Sequence, residues 1–155
     1  LARQAPELGA AEREAMADEV LAVLGDPAHA ALFGPGSLAE VPLSAVVDGG
    51  LVVTGIVDRL LVTEETVTVI DYKTGRQVPE SAADVAPAYL RQMAAYRDAL
   101  RVIFPGRRVQ SALLYTAAPK LIDLGDAILD AHKPALPAAK SNLSPAGLEP
   151  GPPTA

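Results

Sequence analysis

The sequence contains no cysteine and no tryptophan. Without cysteine there are no disulfide staples, no thiolate metal sites and no cysteine nucleophile, so any metal must be held by oxygen or histidine. Histidine is scarce too, with two in 155 residues. Basic residues are outnumbered, 13 Lys and Arg against 19 Asp and Glu, for a formal net charge of -6. That balance excludes a free-standing, non-specific nucleic-acid binder, because such binding runs on cations neutralising phosphates. No apolar run approaches the roughly 20 residues that span a bilayer, and no basic-then-apolar leader opens the chain. A soluble, cytoplasmic protein with no membrane partner is expected. No G-x-x-x-x-G-K-[ST] string is present, so the chain does not hydrolyse ATP itself.

A length of 155 residues, half of them hydrophobic, suits a single domain with a real core. The charge is unevenly spread. Residues 1–70 carry 3 basic and 11 acidic side chains, whereas residues 71–120 carry 8 basic and 4 acidic, so the middle is locally positive by four. Such asymmetry suits a module docked into a larger protein that supplies the main grip on a polyanion, although ordinary solvated helix faces also produce it.

Residues 11–24 place Met16, Val20, Val23 and Leu24 at helical spacing, and Gly34-Pro35-Gly36 ends a second short helical stretch. Alternation of Val41, Leu43, Ala45 and Val47, a turn at Asp48-Gly49-Gly50, and an apolar run over 51–57 predict a hairpin whose second strand ends at Asp58. The β-branched run Thr66–Ile70 predicts a further strand that delivers Asp71-Tyr72-Lys73. Over 88–104, Tyr89, Met93, Tyr96, Leu100 and Ile103 form one helical stripe, read as core, and 109–116 returns as a strand. A strand, helix, strand unit implies a right-handed parallel crossover, hence a mixed sheet covered by helices. The domain is expected over 1–133. Six prolines in 134–155 predict a disordered or linker tail.

Strand alternation puts Asp71 and Lys73 on one face and Tyr72 on the other. Asp58, on the neighbouring strand, can lie beside Asp71. Two carboxylates about 4 Å apart repel by roughly 4 kcal/mol at an effective dielectric near 20, so such a pair calls for a cation or a shared proton. Mg²⁺, with Mn²⁺ able to substitute, favours a few carboxylate oxygens plus waters and substrate phosphate. It would polarise a phosphoryl group and make hydroxide available, with Lys73 orienting water or offsetting charge on phosphorus. Glu40 supplies a further carboxylate through the water shell if strand register allows. Taken singly, Asp58 reads as a turn cap and Asp71 with Lys73 as an exposed salt bridge worth little. His29 and His132 read as surface residues, and Arg107-Arg108 as solvating a turn or touching phosphate.

The ordered set Glu40-Val41-Pro42, Thr54-Gly55-Ile56-Val57-Asp58-Arg59-Leu60, Val69-Ile70-Asp71-Tyr72-Lys73-Thr74-Gly75 and Tyr89-Leu90-Arg91-Gln92 with Tyr96 resembles the RecB-type PD-(D/E)xK nucleases. Within them it is most similar to the C-terminal nuclease domain of AddA-type helicase-nucleases. The resemblance runs from about Glu40 to Pro119. It implies a restriction-endonuclease-like α/β fold, with Asp58, Asp71 and the main-chain carbonyl of Tyr72 as metal ligands. Lys73 is then the catalytic lysine, and Gln92 and Tyr96 match a Q-x-x-x-Y motif on one helical face. It further implies DNA as substrate, cut as an exonuclease during double-strand break repair. The partners it implies are ATP-driven helicase domains of the same polypeptide and a second subunit. RecB-type nucleases also place a histidine on the metal from an upstream helix in a Gly-x-x-x-His setting. That setting is absent, and His29, in Asp26-Pro27-Ala28-His29, does not match it. The expectation is a piece of a larger machine lacking its first helix, weak or inactive in isolation. A scaffold that keeps the fold only to bind DNA or brace a partner is the alternative.

Overall fold

The computed structural model describes residues 22, 25 and 27–134, so the expected helix over 11–24 and the Pro-rich tail lie outside the described residues but for Ala22 and Pro134. Among the described residues five strands, β1 (Ser37–Val47), β2 (Leu51–Val62), β3 (Thr66–Lys73), β4 (Arg108–Tyr115) and β5 (Lys120–Leu124), form one sheet in sequence order. Of these, β3 and β4 pair in parallel and the other neighbours are antiparallel. The crossover between β3 and β4 is made by helix α1 (Pro87–Ile103), which opens on proline at its first position, where no intrahelical N–H is needed. A short helix α2 (Asp126–Asp130) follows β5. The mixed sheet with a parallel crossover is therefore as expected. Strand β5 and helix α2 are additions, since Lys120–Leu124 is short and its apolar alternation is interrupted by Lys120 and Asp123.

The hairpin turn needs a left-handed backbone, and Gly49 (φ 81°) and Gly50 (φ 80°) supply it without a Cβ penalty. Beyond the turn, β2 departs from the expectation that it stops at Asp58. It runs on to Val62, pairing first with β1 and then, over Arg59–Val62, with β3 as well. Its inward pattern slips on the way. Val53 and Val57 face the core, but the next core residue is Leu60, an odd step that strict two-residue alternation forbids. Directly across, Glu40 takes φ 49°, a left-handed conformation that costs a residue with a Cβ roughly 1–2 kcal/mol. Asp58 thus sits inside a strand at a phase break, not at a strand end.

The main core lies between the sheet and α1. Val57, Val67, Val69 and Leu113 from the strands meet Leu90, Met93, Ala94, Ala99 and Leu100 from the helix, all essentially inaccessible. On the other face, Ile70, Ala112 and Leu114 are covered by Leu32 from a short 3₁₀ turn (Pro27–Phe33). The helical stripe is shorter than its spacing suggests: its two ends, Tyr89 and Ile103, are 38% and 40% exposed, while Leu90 and Arg97 are buried in their stead.

Among the described residues Arg97 is the largest fully buried side chain. Its guanidinium donates to Asp98 on the same helix and to Asp126 and Asp130 on α2, at 3.0, 2.9 and 2.7 Å. Burial alone would disfavour the charge, but the hydrogen bonds to Asp130, Asp98 and Asp126 outweigh it and keep the group charged. This ionic clamp fixes α2 against α1. Asp126 and Asp130 are more than half exposed and can rehydrate, so Arg97→Ala should cost mainly the emptied volume and the loss at Asp98, about 2–3 kcal/mol in urea unfolding. The Asp130 carboxyl is held below its ordinary range, first by the Arg97 hydrogen bond. A depressed carboxylate adds stability above its unfolded pKa and loses it as pH falls through the folded one. The difference between parent and Arg97→Ala should therefore shrink below about pH 4.

Candidate functional site

Strands β2 and β3 stay paired from Val62–Val67 to Arg59–Ile70 and then part. Where the ladder ends, Asp58 Oδ2 accepts the backbone N–H of Tyr72 at 2.7 Å, so a side chain takes over from the missing backbone partner. The parting opens a notch on the helix side of the sheet, since Asp71 lies two and four residues beyond the core-facing Val69 and Val67. Tyr72 turns the other way, beside Ile70 and Leu121.

Asp71 is a buried carboxylate. Desolvation raises its pKa above the ordinary range; the Lys73 hydrogen bond and charge pull it down, and the nearby Asp58 pushes it up again. The net direction is upward, so ionised Asp71 is less comfortable here than in water. A bound cation is the natural relief. Lys73 Nζ makes an ion pair with Asp71 Oδ2 at 2.5 Å, with both side chains near one-tenth exposed. The same ammonium donates to Gln92 Oε1 at 3.4 Å and sits 3.7 Å above the centre of the Tyr89 ring. Gln92 Nε2 in turn donates to Tyr96 Oη, one helical turn on, at 3.3 Å.

Tyr96 lies where β2 has no side chain. A Cβ on Gly55 would fall 2.7 Å from the Tyr96 ring and hydroxyl, closer than real Cβ contacts come. Gly55 is therefore the seat of a chain of contacts that runs through Tyr96, Gln92 and Lys73 to Asp71. The structure brings together Asp58, Asp71, Lys73, Gln92 and Tyr96. Glu40 is exposed, opposite Asp58 in the β1–β2 register between the Ala39–Arg59 and Val41–Val57 pairs. Tyr89, read from the sequence as core stripe, is instead half-exposed against Lys73; its place at the first turn of α1, where a helix rises beyond its sheet, was the available signal. His132 Nδ1 bonds the Ile128 carbonyl at 2.7 Å on α2, away from the notch, and the His29 side chain lies outside the described residues. Arg107 stacks on Phe104 in the turn after α1.

The donor set fits a hard divalent cation. Asp58 and Asp71 offer carboxylate oxygens with lone pairs beyond those used by Tyr72 N–H and Lys73, and Mg²⁺ asks for one or two carboxylates plus waters. Among the described residues, no three His, Asp or Glu side chains gather into a group that could enclose a metal, so waters and a substrate phosphate would complete the coordination of an ion held by this pair.

Comparison with known proteins gives three findings. The family described as the PD-(D/E)XK nuclease superfamily matches residues 2–142. The A subunit of an ATP-dependent helicase/nuclease from Listeria monocytogenes serotype 4a (strain HCC23) is 36% identical over 84 residues, 50% of this chain and 7% of that protein. The crystal structure of SSO0001 is similar with a TM-score of 0.40 and 19% identity, over 76% of this chain and 56% of that one. The chain thus spans a small fraction of the length of the curated relative it matches.

Two outcomes follow from the geometry. Gly55→Ala should overpack the Tyr96 seat and cost about 1–3 kcal/mol, with a non-additive double-mutant cycle against Tyr96→Leu, measured by urea unfolding. Asp71→Asn should raise the metal-free Tm, because it removes a carboxylate whose ionised form the fold disfavours.

Proposed function

Because the chain belongs to the PD-(D/E)XK nuclease superfamily, we propose that Asp58 and Asp71, with the Tyr72 main-chain carbonyl, hold Mg²⁺ or Mn²⁺ and that the domain hydrolyses phosphodiester bonds in DNA. The observation that carries this is the notch where β2 leaves β3, which sets two carboxylates and one lysine on the same face of the sheet. Nucleases of this superfamily use divalent metals, and the matched relative is named as part of a helicase/nuclease. Those two facts support a role as the nuclease module of an ATP-driven helicase-nuclease that works with a second subunit on double-strand DNA ends in recombinational repair. Among the described residues no helix is long and apolar enough to cross a membrane.

When bound, the cation polarises the scissile phosphoryl group and lowers the pKa of an attacking water. The chain's own residues do the rest. Tyr72 N–H fixes the Asp58 carboxylate so that it meets the cation without reorganising. Lys73 Nζ, paired with Asp71, is placed to offset the negative charge that grows on the phosphate in the transition state. Gln92 holds that ammonium in place, and Tyr96, wedged against Gly55, holds Gln92. Glu40, exposed across from Asp58, would add a further carboxylate near such an ion.

Linear DNA incubated with the intact protein and Mg²⁺ or Mn²⁺ should be degraded. Asp71→Ala and Lys73→Ala should each lower the rate by about 100-fold or more while unfolding cooperatively like the parent. Undiminished cutting by either variant overturns the reading. Absence of Mn²⁺ binding in calorimetry moves the domain to a role in DNA binding or in bracing a partner.

A further inference from the structure

Tyr89 belongs to neither core cluster of the described residues and is 38% exposed, yet its ring centre lies 3.7 Å from Lys73 Nζ. Helix α1 spaces Tyr89, Gln92 and Tyr96 by three and four residues, which puts them on one side of the helix. The turn that brings the Gln92 amide oxygen to the ammonium therefore brings an aromatic face as well. Asp71 and Gln92 use two of the three N–H bonds of the ammonium, and the negative face of the ring meets the same ion without adding net charge. Lys73 also lines a cleft of about 470 Å³, together with Tyr89, Arg76 and Tyr115. Its four-carbon stem thus borders open space into which it can swing.

A lysine stem is flexible and keeps one position only where its neighbours hold it. A second carboxylate would hold the ammonium but would also repel Asp71 and an incoming phosphate, whereas a neutral ring attracts the cation and repels neither as a full charge would. We propose that Tyr89 is a positioning residue, its ring face holding the Lys73 ammonium beside Asp71 and out of the cleft. The inference rests on the phosphodiesterase reading for the step that Lys73 serves, but the hold on Lys73 can be read without metal or DNA. It assigns the ring, not the hydroxyl. Leucine in its place keeps an apolar cover and loses the attraction, and because Tyr89 lies outside the core the fold should tolerate the change.

The intact, metal-free protein is prepared with isotope-labelled lysine, and the Lys73 ε-methylene NMR signal is assigned by its loss in Lys73→Arg. Ring current should move that signal upfield in the parent and in Tyr89→Phe, and Tyr89→Leu should return it to the ordinary lysine position. On linear DNA with Mg²⁺, Tyr89→Leu should lower kcat by about tenfold, the size of a partly desolvated cation–π contact, with KM unchanged. Tyr89→Phe, which keeps the ring, should cut like the parent, and both variants should unfold in urea like the parent. A Lys73 signal at the ordinary position in the parent overturns the proposal. So does a parental kcat in Tyr89→Leu, a raised KM in place of a lowered kcat, or a Phe variant as slow as the Leu variant. The two readings fail separately. Metal-dependent cutting that ignores Tyr89 overturns only this inference; a ring-shifted Lys73 in a parent that cuts no DNA overturns only the nuclease reading.

Discussion

The hydrogen bond from the Tyr72 N–H to Asp58 Oδ2 is the hinge on which the site depends. Two antiparallel strands that separate must leave backbone groups unpaired, and a buried orphan costs about 1–3 kcal/mol. Here a carboxylate fills the gap. One side chain thereby ends the ladder without penalty, holds the strands apart, and is itself fixed in the opening it creates. The slipped alternation of β2 and the left-handed Glu40 opposite are the backbone cost of the same parting. Strain of this kind collects where a sheet is bent to aim side chains, and these strands aim Asp58 and Asp71 at one another.

Everything beyond the notch is support. The Lys73 ammonium is surrounded by a carboxylate, an amide oxygen and an aromatic face, so its position is set by three neighbours of different chemistry. Arg97, the residue after Tyr96 on α1, does comparable work, tying that helix to α2 through Asp126 and Asp130. The helix that presents Gln92 and Tyr96 is thus held by the sheet along its length and by charge to α2.

Much of this was legible in the sequence because the signals are local. Alternation over 41–47, the Asp-Gly-Gly turn and the β-branched run before Asp71 marked the strands and the facing of Asp71 and Lys73. The motif spacing, Asp58 to Asp71-Tyr72-Lys73 to Gln92 and Tyr96, pointed to the cluster that the fold assembles. What escaped was set by tertiary context. Strand β2 does not stop at Asp58, because Arg59–Val62 gains a second partner in β3. Tyr89 and Ile103 fit the periodic stripe but overhang the sheet that buries Met93 and Leu100. Arg97, whose charge predicts a solvated face, is buried by carboxylates 29 and 33 residues away, contacts that no window along the chain contains.

The mixed pairing of β3 also sets an order of events in folding. Asp58 and Tyr72 are 14 residues apart, while the β3–β4 pairing joins residues such as Thr68 and Gln110, 42 apart. Chain-closure entropy makes the longer loop dearer by about 1 kcal/mol, before the helix in between is counted. The antiparallel meander therefore has the lower barrier, and parallel docking of β4 comes later, as non-local pairings do. The Asp58 contact belongs to the early part, whereas Tyr115, paired with Lys73 across the β3–β4 ladder, arrives with the late one. A chain emerging from the ribosome carries its carboxylates in place before the strand beside Lys73 has docked, so the two ends of the site are finished at different times.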